Sequence, residues 1–72
     1  MTWKKTAEGY EAKSNTGVTY AAIRNTRLGN FELYANGVAV REGFGVLLRE
    51  AKEVAGKLDS NPAYTAVEDA GQ

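Results

Sequence analysis

One segment restricts the possible folds of this chain more than any other. Across residues 44–58, FGVLLREAKEVAGKL, Leu47, Leu48, Ala51, Val54, Ala55 and Leu58 recur at helical spacing. At about 100° per residue they occupy an arc of roughly 120°, the stripe of a helix that lies on a core. Arg49, Glu50, Lys52, Glu53 and Lys57 fill the rest of the wheel. Everything before this segment has strand character. A single amphipathic helix must therefore cover whatever sheet the preceding residues build.

The strands follow from turn chemistry and alternation. Trp3 lies in a short segment, Thr2–Ala7, and Glu8-Gly9 turns it toward Tyr10–Lys13. Ser14-Asn15-Thr16-Gly17 is a turn, since Asn and Gly tolerate positive φ. In Val18–Arg24, Val18, Tyr20 and Ala22 alternate with Thr19, Ala21 and Ile23, and β-branched and aromatic types are enriched. Asn25–Gly29 is a loop. In Asn30–Ala35, Phe31, Leu33 and Ala35 share one face, and Glu32 and Tyr34 share the other. Asn36-Gly37 then separates two apolar runs, the strongest short hairpin signal, because a type I′ turn needs positive φ at both central residues. Leu33–Ala35 should pair antiparallel with Val38–Val40. Glu42-Gly43 leads to the helix, which has no strong N-cap residue. Asp59-Ser60-Asn61-Pro62 ends it.

The expected fold is thus α+β: an antiparallel meander sheet of three to four strands with one C-terminal helix packed on one face. Residues 1–58 read as one domain. Residues 59–72 read as an acidic, flexible tail in which Tyr64 can fold back onto the sheet.

Composition narrows the chemistry. At 72 residues the chain is one small domain, and a chain this short buries only about 60% of its unfolded surface. It has no cysteine and no histidine, so thiolate chemistry is excluded and the usual neutral-pH base and metal ligand are missing. Glu8 and Glu11 form no recognisable acid–base pair. No catalytic, metal or cofactor site is expected, and the chain reads as a non-enzyme. It carries no apolar run near the ~20 residues of a membrane span and no signal-type segment, so a cytoplasmic protein without a membrane partner is expected. Net charge is zero but uneven. Residues 1–31 carry Lys4, Lys5, Lys13, Arg24 and Arg27 against Glu8 and Glu11, a net +3. Residues 32–58 balance, and Asp59, Glu68 and Asp69 give the last segment −3.

Candidate contact residues come from the aromatics and the basic groups near them. Trp3, Tyr20, Phe31 and Phe44 are expected to pack under the helix, since large aromatics dominate small cores. Tyr34, with Lys13, Arg24, Arg27 and Arg41, is expected on the face the helix leaves open. Tyr and Arg are enriched at protein hot spots, and aromatics with interspersed cations also suit DNA.

The order of strand, turn, strand and glycine-led helix, with Phe44, Glu50-Ala51-Lys52, Ala55 and the alternating strand Val18–Arg24, resembles the three-stranded DNA-binding domains of the AP2 type. It also resembles the arm-binding domains of phage and transposon integrases. That resemblance covers about residues 17–58 and implies a sheet-type DNA-binding protein that uses the open face. The opening Trp, the Tyr-rich meander and the EAK helix are also similar to small accessory proteins of bacteriophages and their actinobacterial hosts. The function expected from the residues is a non-enzymatic protein-interaction module, of the kind a phage uses to modulate a host protein. DNA binding is the alternative, and a homodimer through the sheet edge or open face is compatible with either.

Overall fold

Asn36 and Gly37 adopt φ values of +50° and +82°, the pair of positive values that a type I′ hairpin requires. This turn sets Ala35 opposite Val38, Tyr34 opposite Ala39 and Leu33 opposite Val40, the pairing expected from sequence. A computed structural model describes the chain over residues 1–60; the tail reading for 61–72, including Tyr64, lies outside the described residues.

Five strands precede one helix: β1 (Trp3–Lys5), β2 (Gly9–Lys13), β3 (Thr19–Asn25), β4 (Asn30–Ala35), β5 (Val38–Val46) and α1 (Leu48–Ser60). They form one antiparallel sheet in the order β1-β2-β3-β4-β5. The architecture is the expected α+β meander, but with five strands rather than three to four. Trp3–Lys5 completes the count because it pairs fully with β2, Trp3 facing Ala12 and Lys5 facing Tyr10.

Each turn is closed by a polar side chain of its own. Thr6 Oγ1 accepts from the Gly9 N–H at 3.1 Å. Ser14, buried, accepts from the Thr16 N–H at 3.1 Å and the Val18 N–H at 3.3 Å. Asn25 Oδ1 accepts from the Arg27 and Leu28 N–H groups at 3.1 and 3.2 Å. Asn36 Oδ1 accepts from the Thr19 N–H at 2.9 Å, which ties the β4–β5 turn to the start of β3. The Thr6, Ser14 and Asn25 bonds are the local ones that make Ser, Thr and Asn favourable in turns.

The core lies between one sheet face and α1. Tyr20, Ala22, Leu33 and Val40 from the sheet meet Ala51 and Ala55 from the helix. The two alanines are one turn apart and have only a methyl group each, so the helix backbone comes close to the sheet. Leu33 and Val40 are the largest fully buried side chains. Trp3, Phe31, Val46, Leu48, Val54 and Leu58 are partly buried around them.

The end of β5 corrects the expected helix start. Phe44 and Val46 are strand residues, paired with Glu32 and Phe31, and two register shifts separate these pairs from Leu33–Val40. Without them the backbone of β4 at Phe31 and Glu32 would lack partners, a cost that outweighs the helical periodicity of a short segment. Gly43 permits the first shift, because a Cβ there would sit 2.9 Å from Leu33 Cδ2 and closer still to its Cβ. Gly45, at φ +70°, bends the strand out toward α1. The helix begins at Leu48, and Leu47, expected on the apolar stripe, is 54% exposed. Glu50 Oε1 accepts from the Leu47 N–H at 3.0 Å, half of a capping box. At the other end Asp59 and Ser60 belong to α1 rather than to the tail. Asp59 Oδ1 accepts from Thr16 Oγ1 at 3.2 Å, pinning the helix end to the β2–β3 turn.

The glycines give a matched stability test. Gly43→Ala should overpack against Leu33 and cost about 1–3 kcal/mol. Gly56→Ala, where no atom lies within 4 Å of the added Cβ, should stabilise by about 0.5–1 kcal/mol through helix propensity alone. Urea denaturation of both variants reads the two signs.

Candidate interaction surface

Helix α1 packs on β5, β4 and, to a lesser degree, β3. The opposite face of the sheet has no covering element among the described residues. Strand alternation decides what stands there. Tyr34 lies between Ala21 on β3 and Ala39 on β5. The next rung on this face is Ile23, Glu32 and Phe44. Because Ala21 and Ala39 are small, the Tyr34 ring stands in a shallow trough. Its neighbour is Phe44, edge-on at a centroid distance of 5.4 Å and an interplanar angle of 63°, a favourable aromatic geometry. Phe44 is 38% exposed. It does not pack under the helix as expected, because the bulged register of β5 turns it to the open side.

Glu32 brings a carboxylate to the centre of this apolar strip. Asn25 Nδ2 donates to Glu32 Oε2 at 3.2 Å, and the Tyr34 hydroxyl donates to Glu32 Oε1 at 3.4 Å. Burial raises the Tyr34 pKa above its ordinary 10.0, and the Glu32 charge and hydrogen bond push it the same way. On the helix side, burial likewise raises the pKa of Tyr20, with the Asp59 carboxylate adding to the shift.

The five residues expected to act together are divided by the fold. Tyr34 is on the open face. Lys13, paired with Thr19 next to the buried Ala12, is also on that face but two strands away. Arg41 is exposed, and alternation carried on from Ala39 puts it with Tyr34, at the start of the irregular stretch of β5. Arg27 is exposed in the β3–β4 loop. Arg24 is on the other face. It shares the parity of Tyr20 and Ala22, pairs with Phe31, and holds its guanidinium carbon 5.4 Å from the Phe31 ring centroid. The expected grouping of Arg24 with Tyr34 is therefore corrected, since a strand cannot present adjacent-parity residues to one side. Glu32 and Phe44, which complete the open-face strip, were outside the sequence-based set. Glu32 was legible from alternation, whereas Phe44 depends on a bulge.

The sheet edges are poor docking elements. β1 is three residues long and carries Lys4 and Lys5, and β5 is broken by its register shifts; both features blunt edge pairing. Among the described residues no group of three or more His, Cys, Asp or Glu could hold a metal ion, and no helix is long and apolar enough to cross a membrane.

No family model, curated protein or solved structure matches this chain.

The tyrosines predict a pH dependence. With folded-state pKa values above 10.0, both stay neutral in the folded protein at pH values where the unfolded chain ionises. Their contribution to stability is complete below pH about 10 and is lost as pH rises through the folded values. The urea midpoint should hold level up to pH about 9.5 and then fall. Tyr20→Phe should make that fall shallower than in the parent protein.

Proposed function

We propose that this chain is a non-enzymatic protein-interaction module that receives its partner on the open face of the sheet. The observation that carries the reading is the pair of rungs Ala21–Tyr34–Ala39 and Ile23–Glu32–Phe44, an apolar strip with one oriented carboxylate and no covering element among the described residues. Exposed aromatic clusters of this type serve as interface anchors. A phage-type modulator of a host protein is one biological setting compatible with it.

The strip specifies the chemistry of the partner. It suits a flat aliphatic surface that carries a Lys or Arg, whose cation reaches Glu32 while aliphatic groups cover Tyr34 and Phe44. A charged pair enclosed in this way would gain specificity from the two donors that already orient the carboxylate.

The alternative reading, sheet-type DNA binding through the same face, draws support from Lys13 and Arg41. It loses Arg24 to the other side and must accommodate Glu11 and Glu32, carboxylates that repel phosphate. The protein-binding reading needs no such accommodation.

Affinity capture with the full chain, compared between parent, Phe44→Glu and Lys57→Gln proteins, tests the proposal. A stoichiometric partner should be retained by the parent and Lys57→Gln proteins and lost at least tenfold with Phe44→Glu. Equal capture by all three would overturn it. If light scattering shows a dimer that Phe44→Glu dissolves, the partner is a second copy of this chain.

A further inference from the structure

The helix-side face also has an uncovered part, and its character is the reverse of the open face. α1 runs over β5, β4 and part of β3, which leaves the β1–β2 side of the same face beyond the helix. Trp3 of β1 and Tyr10 of β2 stand there half-buried, and the half-buried ring of Phe31 on β4 reaches toward them. Tyr10 and Phe31 approach with centroids 6.3 Å apart, across the small, fully buried Ala22 that separates their strands.

Cations accompany these rings. Lys52 Nζ, reaching from α1, is 5.5 Å from the Tyr10 centroid and 6.0 Å from that of Trp3. Arg24 lies over Phe31. Lys5 pairs directly with Tyr10 and so points to the same side. Alternation puts Glu11 and Glu32 on the opposite face, and Glu42 lies in the irregular part of β5; the carboxylates on the helix side include those of Glu8, whose carbonyl accepts from the Arg24 N–H at 2.8 Å, and of Asp59 near Tyr20. One turn beyond Lys52 on the same flank of α1, Gly56 has no side chain, and a Cβ there would meet nothing within 4 Å. The surface beside the helix is therefore uncovered at that position.

We propose that this surface binds single-stranded nucleic acid, with bases stacked on Trp3, Tyr10 and Phe31 and phosphates paired with Lys5, Arg24 and Lys52. The repeated juxtaposition of ring and cation favours this ligand over a plain polyanion or an acidic peptide. A polyanion uses only the charges, and an acidic peptide has no row of flat faces to match three rings. Alternating stacking and phosphate contact is how sequence-tolerant single-strand sites are built. The site is separate from the strip of Tyr34 and Phe44, and the two readings stand or fall independently.

Trp3 is the only tryptophan in the chain, so its fluorescence reports the site directly. The full chain is titrated with a ten-nucleotide oligothymidylate, with an abasic oligonucleotide of equal length, and with a poly-glutamate peptide. The oligothymidylate should quench Trp3. Three phosphate contacts predict a slope of log K against log salt near −2, so affinity should fall about 100-fold between ~20 and ~200 mM salt. The abasic strand should bind at least tenfold more weakly, and poly-glutamate should not compete. Lys52→Gln, which keeps the stem and removes the charge, should flatten the slope by about 0.7. Lys57→Gln, an equal charge change on the other flank of α1, should leave binding unaltered. Lack of quenching at low salt overturns the proposal. So does abasic binding equal to that of the oligothymidylate, competition by poly-glutamate, or equal weakening by the two lysine variants. The comparison of ligands on the parent protein decides the matter even if a variant fails to fold.

Discussion

The fit of Ala51 and Ala55 against Leu33 and Val40 holds the two layers of this protein together. It also limits what the helix can cover. A 13-residue helix is about 20 Å long and about 10 Å across. Five strands at about 4.8 Å spacing make a sheet wider than that. The short alanine side chains bring the helix down onto β3–β5 but give it no lateral reach. The remaining apolar surface has to be managed by other means, and nearly every unusual feature of the molecule is a response to that shortfall. On the β1–β2 side, the charged ends of Lys52 and Arg24 stand 5.4–6.0 Å from the centroids of aromatic rings, a cation–π arrangement. On the far side of the sheet, alanines and a carboxylate held by hydrogen bonds break up what would otherwise be a continuous hydrophobic plane.

The two faces differ in cover and in the charge that stands nearest their rings. Both combine aromatic rings with charge, but cations accompany Trp3, Tyr10 and Phe31, whereas the carboxylate of Glu32 is beside Tyr34 and Phe44. A formal net charge of zero conceals this separation entirely. It is produced by the period-two geometry of the strands, which sends Arg24 and Glu32 to opposite sides although they lie on adjacent, paired strands.

Sequence patterns revealed the parts of this fold whose causes are local. The Asn36-Gly37 hairpin and its register were readable because the φ requirement belongs to two residues. The alternation in β3 and β4 was readable because neighbouring side chains carry it. By the same alternation Arg24 already belonged with Tyr20 and Ala22, so its separation from Tyr34 was present in the sequence as well. What was not legible depended on pairing between distant residues. FGVLL has helical periodicity, and only the demand of Phe31 and Glu32 for backbone partners turns Phe44–Val46 into strand. The exposure of Phe44, and with it half of the open-face strip, follows from that bulge. The ring set of Trp3, Tyr10 and Lys52 was hidden for a similar reason: it draws on β1, β2 and α1, and no sequence spacing brings these together.

The strictly sequential strand order bears on how the chain is made. Each strand pairs with the one synthesised just before it, so the loops that must close are short and the sheet can add hydrogen bonds in the order in which the chain emerges. The helix is different. Its bond from Asp59 to Thr16 spans 43 residues, and Leu33 and Val40 stay uncovered until Ala51 and Ala55 have left the ribosome. For that interval a nascent five-stranded sheet exposes the face that will become its core. Lys4 and Lys5 on the short edge strand β1 meanwhile discourage pairing of that edge with a neighbouring chain.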